Sequence, residues 1–136
     1  MVFKYISLFK LRIAALLVFV AVVSAIAAGE GSIPLDKIAI LVVAGAFSCI
    51  GSACLNNYSD RDIDSLMDRT KHRPLPAREI KPANVLYLGL LLILLGVLTA
   101  LKLNYLTALS IFLGAFTYVV IYTLWLKRSS PWNIVI

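Results

Sequence analysis

Four apolar runs, Ile13–Ala28, Ile38–Leu55, Val85–Leu101 and Leu103–Leu126, occupy most of this 136-residue chain. A helix rising about 1.5 Å per residue needs about 20 mostly apolar residues to cross the hydrocarbon of a bilayer, with a range of about 17–25. Three runs fall in that range. The first is slightly short, but Leu11 and Arg12, whose long side chain can lift its charge to the polar boundary, extend it. It reads as a span rather than a secretory leader, because further spans follow it. Backbone groups in lipid must pair within their own segment, so each run is expected to be helical. The expected fold is an all-α, polytopic transmembrane bundle forming one membrane domain over residues 1–136. Its four spans are placed at about 12–29, 38–57, 84–101 and 103–126.

Composition closes the other routes. Hydrophobic residues make up 61% of the chain and charged residues 15%, with a mean hydropathy of +0.92. Soluble domains carry about 45–50% and about 25% respectively, and a core this small could not hide the surplus. Disordered chains are poor in aliphatics, so disorder is excluded for the same reason. Membrane lipid is the solvent this surface calls for.

The net charge of +6 follows the same plan. Of the 13 Lys and Arg residues, only Lys37 and Lys102 fall in the connections between spans one and two and between spans three and four. The others flank the ends of the chain or lie in the loop of about 58–83. By the positive-inside rule that loop and both termini are cytoplasmic, which an even number of spans allows. The expected location is the cell membrane, crossed several times. A basic excess distributed in this way signals topology, not a nucleic-acid partner.

Cys49 and Cys54 lie five apart in the second span, which is neither a Cys-x-x-Cys nor a zinc spacing, and they read as small packing residues. The same span holds Ala44, Gly45, Ala46, Ser48, Gly51, Ser52 and Ala53, and small residues let helices approach closely in membranes. It is expected inside the bundle, with the Leu-rich third span facing lipid.

Candidate chemistry begins where the second span ends. Residues 56–73 read NNYSDRDIDSLMDRTKHR. Asn56, Asp60, Asp64 and Asp68 recur every four residues, and if the helix continues, Asn56, Asp60 and Asp64 share one face, with Asp62 roughly opposite. Carboxylates at i and i+4 repel, more strongly near a low-dielectric boundary. A bound cation explains such a stripe. All three donors are oxygens, which suits a hard ion such as Mg²⁺ that keeps waters and takes further ligands from substrate phosphate. Arg69, Lys71 and Arg73 follow directly and suit phosphate oxygens. The combination suggests a diphosphate with an apolar tail. The plainer alternative is a solvated loop in which Arg61 pairs with Asp64 and Asp68 with His72. Pro74 and Pro76 end any helix there.

These residues resemble a known pattern. Asn56, Asn57, Asp60 and Asp64 are similar to the first Asp-rich motif, Asn-Asp-x-x-Asp-x-x-x-Asp, of the UbiA superfamily of intramembrane prenyltransferases, with Asn57 in place of the second-position Asp. Residues 56–75 are most similar to the branch of that superfamily that farnesylates protohaem IX. Residues 122–128 and 131–136 resemble its connection between the fourth and fifth helices. Lys10-Leu11-Arg12 resembles its Lys-Pro-Arg signature, with Leu11 where Pro is usual.

The resemblance implies a magnesium-dependent transfer of farnesyl from farnesyl diphosphate to a vinyl group of haem B, giving haem O. Asn56, Asp60 and Asp64 would hold the ion and, through it, the diphosphate. Arg61, Lys71, Arg73 and Lys127, with Arg12, would contact phosphate, and Tyr58, Tyr118 and Tyr122 would face the allylic cation or simply pack. The superfamily's bundle has about nine helices and a second Asp-rich motif. Glu30, Asp36 and Glu79 do not form one, so the chain is expected to represent the N-terminal half of such an enzyme and to be inactive alone. Two alternatives stay open: an aromatic acid or quinone precursor as acceptor, and a non-catalytic four-helix protein binding a lipid diphosphate or a partner.

Overall fold

The computed structural model describes residues 2–129, and these are helical throughout apart from turns and short connections. The stretch 131–136 compared above lies outside the described residues. A short helix α1 (Val2–Ile6) is followed by α2 (Leu11–Ala28), α3 (Leu35–Leu66) and α4 (Pro82–Ala100). The fourth long helix starts as α5 (Tyr105–Phe116), continues as a π-helical segment Thr117–Leu126, and ends in one α turn, α6 (Lys127–Ser129). Four helices, Leu11–Ala28, Leu35–Leu66, Pro82–Ala100 and Tyr105–Ser129, are long and apolar enough to cross a membrane.

Helix α3 is the axis of the bundle. Its 32 residues give it a length of about 48 Å. That exceeds the hydrocarbon thickness of about 30 Å, so its polar last turns project beyond the apolar layer. The helix runs through Leu66, well past the end of the apolar run at Leu55. Ala44, Ser48, Gly51, Ser52, Ala53 and Cys54 are all buried along it, as its small-residue content requires.

Helix α4 packs against α3 through glycine rather than lying wholly towards lipid. A Cβ placed on Gly51 would stand 2.7 Å from the Gly89 carbonyl, and one on Gly96 would stand 2.8 Å from the Ala44 carbonyl. Backbone therefore meets backbone, the closest approach two helices can make. The opposite face of α4, with Leu90, Leu91, Leu94 and Leu98, is exposed, as a lipid-facing surface should be. Helix α4 thus has one face for each environment. The tight turn after it is closed by Asn104, whose Oδ1 accepts from the Thr107 backbone N–H at 2.7 Å and caps α5.

Two small clusters anchor the ends of the bundle. At one end Ala44, Ala100 and Ala108 bring α3, α4 and α5 together. At the polar end Leu8, Cys54, Leu75, Ile80 and Val85 gather the N-terminal segment, α3, the loop after it and α4. Leu8 is the plug of that cluster, and its carbonyl accepts from Asn57 Nδ2 at 2.8 Å. The N-terminal segment is thereby strapped across the polar end. Lys10 takes a left-handed backbone conformation (φ 47°) as the strap turns into α2.

Candidate functional site

The inner face of the projecting end of α3 carries Asn56, Asp60 and Asp64 in one line, at 2%, 4% and 8% exposure. Two carboxylates so close and so buried require counter-charge, and it arrives from three separate segments. Lys127 Nζ lies 2.5 Å from Asp60 Oδ2, brought in by α6. Arg73 Nη1 lies 3.1 Å from Asp64 Oδ2, brought in by the loop after α3. Lys10 Nζ donates to Asn56 Oδ1 at 2.5 Å from the strap. Burial, together with the neighbouring Arg73 and Lys127 cations, pushes the Lys10 ammonium below its ordinary pKa.

The Asn56 amide is oriented by the groups around it. Its Nδ2 donates to Asp60 Oδ2 at 3.2 Å and to Thr123 Oγ1 at 3.1 Å. Thr123 is fully buried and its hydroxyl donates in turn to the Tyr118 carbonyl, five residues back, at 2.8 Å. With both amide protons engaged, Oδ1 is the group Asn56 presents to Lys10. The end of α3 is held by the Thr70 hydroxyl, which donates to the Asp64 carbonyl at 2.9 Å.

One oxygen is left over. Asp60 Oδ1 is buried with no hydrogen-bond partner among the described residues. A buried polar atom in that state costs about 1–3 kcal/mol, more when it is charged, so it calls for a ligand. The donors here, two carboxylates and an amide, are hard oxygens and fit a divalent ion of the magnesium type. Among the described residues no three His, Cys, Asp or Glu side chains converge to hold a metal by themselves. An ion at this stripe would have to complete its shell with water and substrate, as Mg²⁺ commonly does.

The expected phosphate contacts divide in two. Arg73 and Lys127 reach the stripe. Lys71 instead pairs with exposed Asp68 at 2.6 Å, because α3 has ended and the chain turns there, so Asp68 does not pair with His72. Arg61 folds back over Tyr58, its guanidinium carbon 4.2 Å from the ring centroid, and Asp64 takes Arg73 in its place. Arg12 lines a separate outer groove with Ile6 and Leu11 and makes no ion pair among the described residues. Asp62 points away from the stripe, as its phase on the helix requires, and pairs with Arg128 at 3.0 Å. Tyr118 and Tyr122 stack on each other with centroids 5.8 Å apart.

Two members of the site, Lys10 and Thr123, were not selected from sequence. Lys10 lies two residues before Arg12 in the same basic stretch, and it is Lys10, at the left-handed turn into α2, that reaches Asn56. Thr123 was legible only as a hydroxyl in an otherwise apolar run. Cys49 and Cys54 are free thiols, with Cys54 in the apolar cluster at the polar end, and neither joins the stripe.

Comparison with known proteins identifies the relatives of this chain. The family described as "UbiA prenyltransferase family" matches residues 16–136. A protoheme IX farnesyltransferase of Bacillus mycoides (strain KBAB4) is 48% identical over 102 residues, which cover 75% of this chain and 33% of that protein. Protoheme IX farnesyltransferases of Bacillus thuringiensis (strain Al Hakam) and Bacillus cereus (strain B4264) are 46% identical over the same shares. The matched segment thus spans about a third of the length of these relatives. No solved structure matches the chain.

Proposed function

The chain belongs to the UbiA prenyltransferase family, and from that premise we propose that it forms one wall of a farnesyltransferase active site whose acceptor is haem B and whose product is haem O. The observation that carries the proposal is the buried stripe of Asn56, Asp60 and Asp64, ringed by Lys10, Arg73 and Lys127 and retaining an unsatisfied oxygen. The similarity to proteins named protoheme IX farnesyltransferase supports the choice of substrates. The four apolar helices support a multi-pass membrane location, which we assign to the cell membrane with both termini cytoplasmic.

Asn56, Asp60 and Asp64 would hold a magnesium ion, whose chemistry when bound is to neutralise charge on the departing diphosphate. Lys10, Arg73 and Lys127 are already gathered at these oxygens. There they would also be within reach of phosphate oxygens, which they would hold by charge-assisted hydrogen bonds. Fixed positive groups aimed at the leaving group lower the barrier because no reorganisation is needed as its charge develops. The allylic C–O bond breaks and its electron pair leaves with diphosphate. The haem vinyl π electrons form the new C–C bond, and water then adds to the resulting carbon centre and releases a proton. Apolar helix walls keep bulk water from the allylic cation until that bond has formed.

The test supplies the protein, in the longest form its reading frame encodes, with farnesyl diphosphate, Mg²⁺ and haem B, and reads haem O by mass. Product with hydroxybenzoate and none with haem would overturn the acceptor in favour of an aromatic acid. Tight binding of farnesyl diphosphate without transfer to either acceptor would favour a binding role alone.

A further inference from the structure

Beside the stripe, between the N-terminal strap and residues 69–74, a cleft of about 550 Å³ opens at the polar end of the bundle. Lys4, Lys10, Arg69, His72 and Arg73 line it, and no Asp or Glu does. Lys4 is committed to Glu79 at 3.4 Å, and Lys10 and Arg73 reach inward to the stripe. Arg69 and His72 make no side-chain hydrogen bond or ion pair among the described residues, although both stand at the rim of the cleft. The remaining lining includes Phe3, Leu8 and Pro74, which give it an apolar side.

A surface that is rich in donors, free of acids and backed by apolar side chains suits the acid end of an amphiphile. Arg69 offers a planar fork that matches a carboxylate. Lys10 and Arg73 belong to both the cleft and the stripe, so a ligand in the cleft sits next to a diphosphate on the stripe. Haem carries its two propionates on one edge of the macrocycle and its vinyl groups away from that edge. Acids gripped at the rim would direct the vinyl edge inward, towards the allylic carbon.

We propose that this cleft receives the paired carboxylates of the acceptor, with Arg69 and His72 as specificity residues. This rests on the reaction proposed above. The experiment titrates iron protoporphyrin IX and its dimethyl ester into the protein in phosphatidylcholine nanodiscs and follows visible absorbance. The wild type should bind the diacid at least about tenfold more tightly than the diester, and the double variant Arg69→Gln, His72→Gln should lose most of that preference. Equal binding of the two porphyrins, or a double variant that keeps the full preference, overturns the proposal. In discs containing phosphatidylglycerol the preference should persist; its disappearance would assign the cleft to anionic lipid headgroups instead. Both substituted side chains are exposed, so helix content should be unchanged in the variant. Haem O formed by the double variant with an unchanged KM for haem would sink the cleft and leave the reaction standing. A diacid preference in the wild type, with no haem O formed by the longest form its reading frame encodes, would sink the reaction alone.

Discussion

Asp60 is the residue on which the site turns. One carboxylate oxygen is shared by Lys127 and the Asn56 amide, and the other has no partner. On the proposed function, Asp60→Asn and Asp64→Asn should each lower transfer at least about a hundredfold, because they remove charge where the ion and the leaving group would be held. The measurement is haem O formation, with helix content by circular dichroism as the control for folding. Near-normal turnover in both variants would mean that the stripe is not the ion site. Thr123 makes a subtler case. Thr123→Val keeps the shape and removes the acceptor for Asn56 Nδ2, one hydrogen bond worth about 1 kcal/mol. A fall in kcat/KM of about fivefold is expected, with Thr123→Ser close to wild type. A valine variant as active as the serine one would show that Asn56 needs no such guide. The stripe itself was readable from four-residue spacing. Its counter-ions were not, because Lys10, Arg73 and Lys127 lie 46, 9 and 67 residues from the groups they meet.

Among the elements, α3 and the π-helical segment do most to build the site. Helix α3 continues beyond the apolar layer because each carboxylate on its exposed end finds a cation: Asp60 with Lys127, Asp62 with Arg128 and Asp64 with Arg73. Without those partners the i, i+4 repulsion would favour fraying there. The π segment of 10 residues is long for a geometry usually confined to single turns, and such geometry often occurs at functional sites. Here it carries Thr123 against Asn56 and leads into Lys127. No pattern in TYVVIYTLWL distinguishes it from an ordinary apolar helix. The α3–α4 contact has its own test. Gly51→Ala puts a methyl group against the Gly89 carbonyl and the Ile93 backbone nitrogen, neither of which can move aside alone. Overpacking of this kind costs about 1–3 kcal/mol. The variant should unfold at lower temperature in detergent, whereas Gly114→Ala, which meets nothing within 4 Å, should not. Equal stability of the two would refute the close packing.

For the whole molecule, the proposed topology puts Lys37 and Lys102 on the side opposite the stripe. Single cysteines at 37, 81 and 102, in a background where Cys49 and Cys54 are replaced by Ala, can be labelled with an impermeant maleimide in intact cells. Positions 37 and 102 should react and position 81 should not, with the order reversed in inside-out vesicles. Labelling of all three from one side would break the four-span arrangement.

The chain's own sequence determined the helical bundle, the central place of α3 and the line of Asn56, Asp60 and Asp64. Those features follow from hydropathy, residue size and helical phase, all local properties of a segment in lipid. Only the tertiary structure decided which cations close on that line, why Lys10 rather than Arg12 reaches Asn56, and how Arg61 and Lys71 come to lie at Tyr58 and Asp68. Those choices depend on the distance between segments far apart in the chain, and on a strap pinned by Leu8 and a single left-handed residue. Spacing along the sequence records neither.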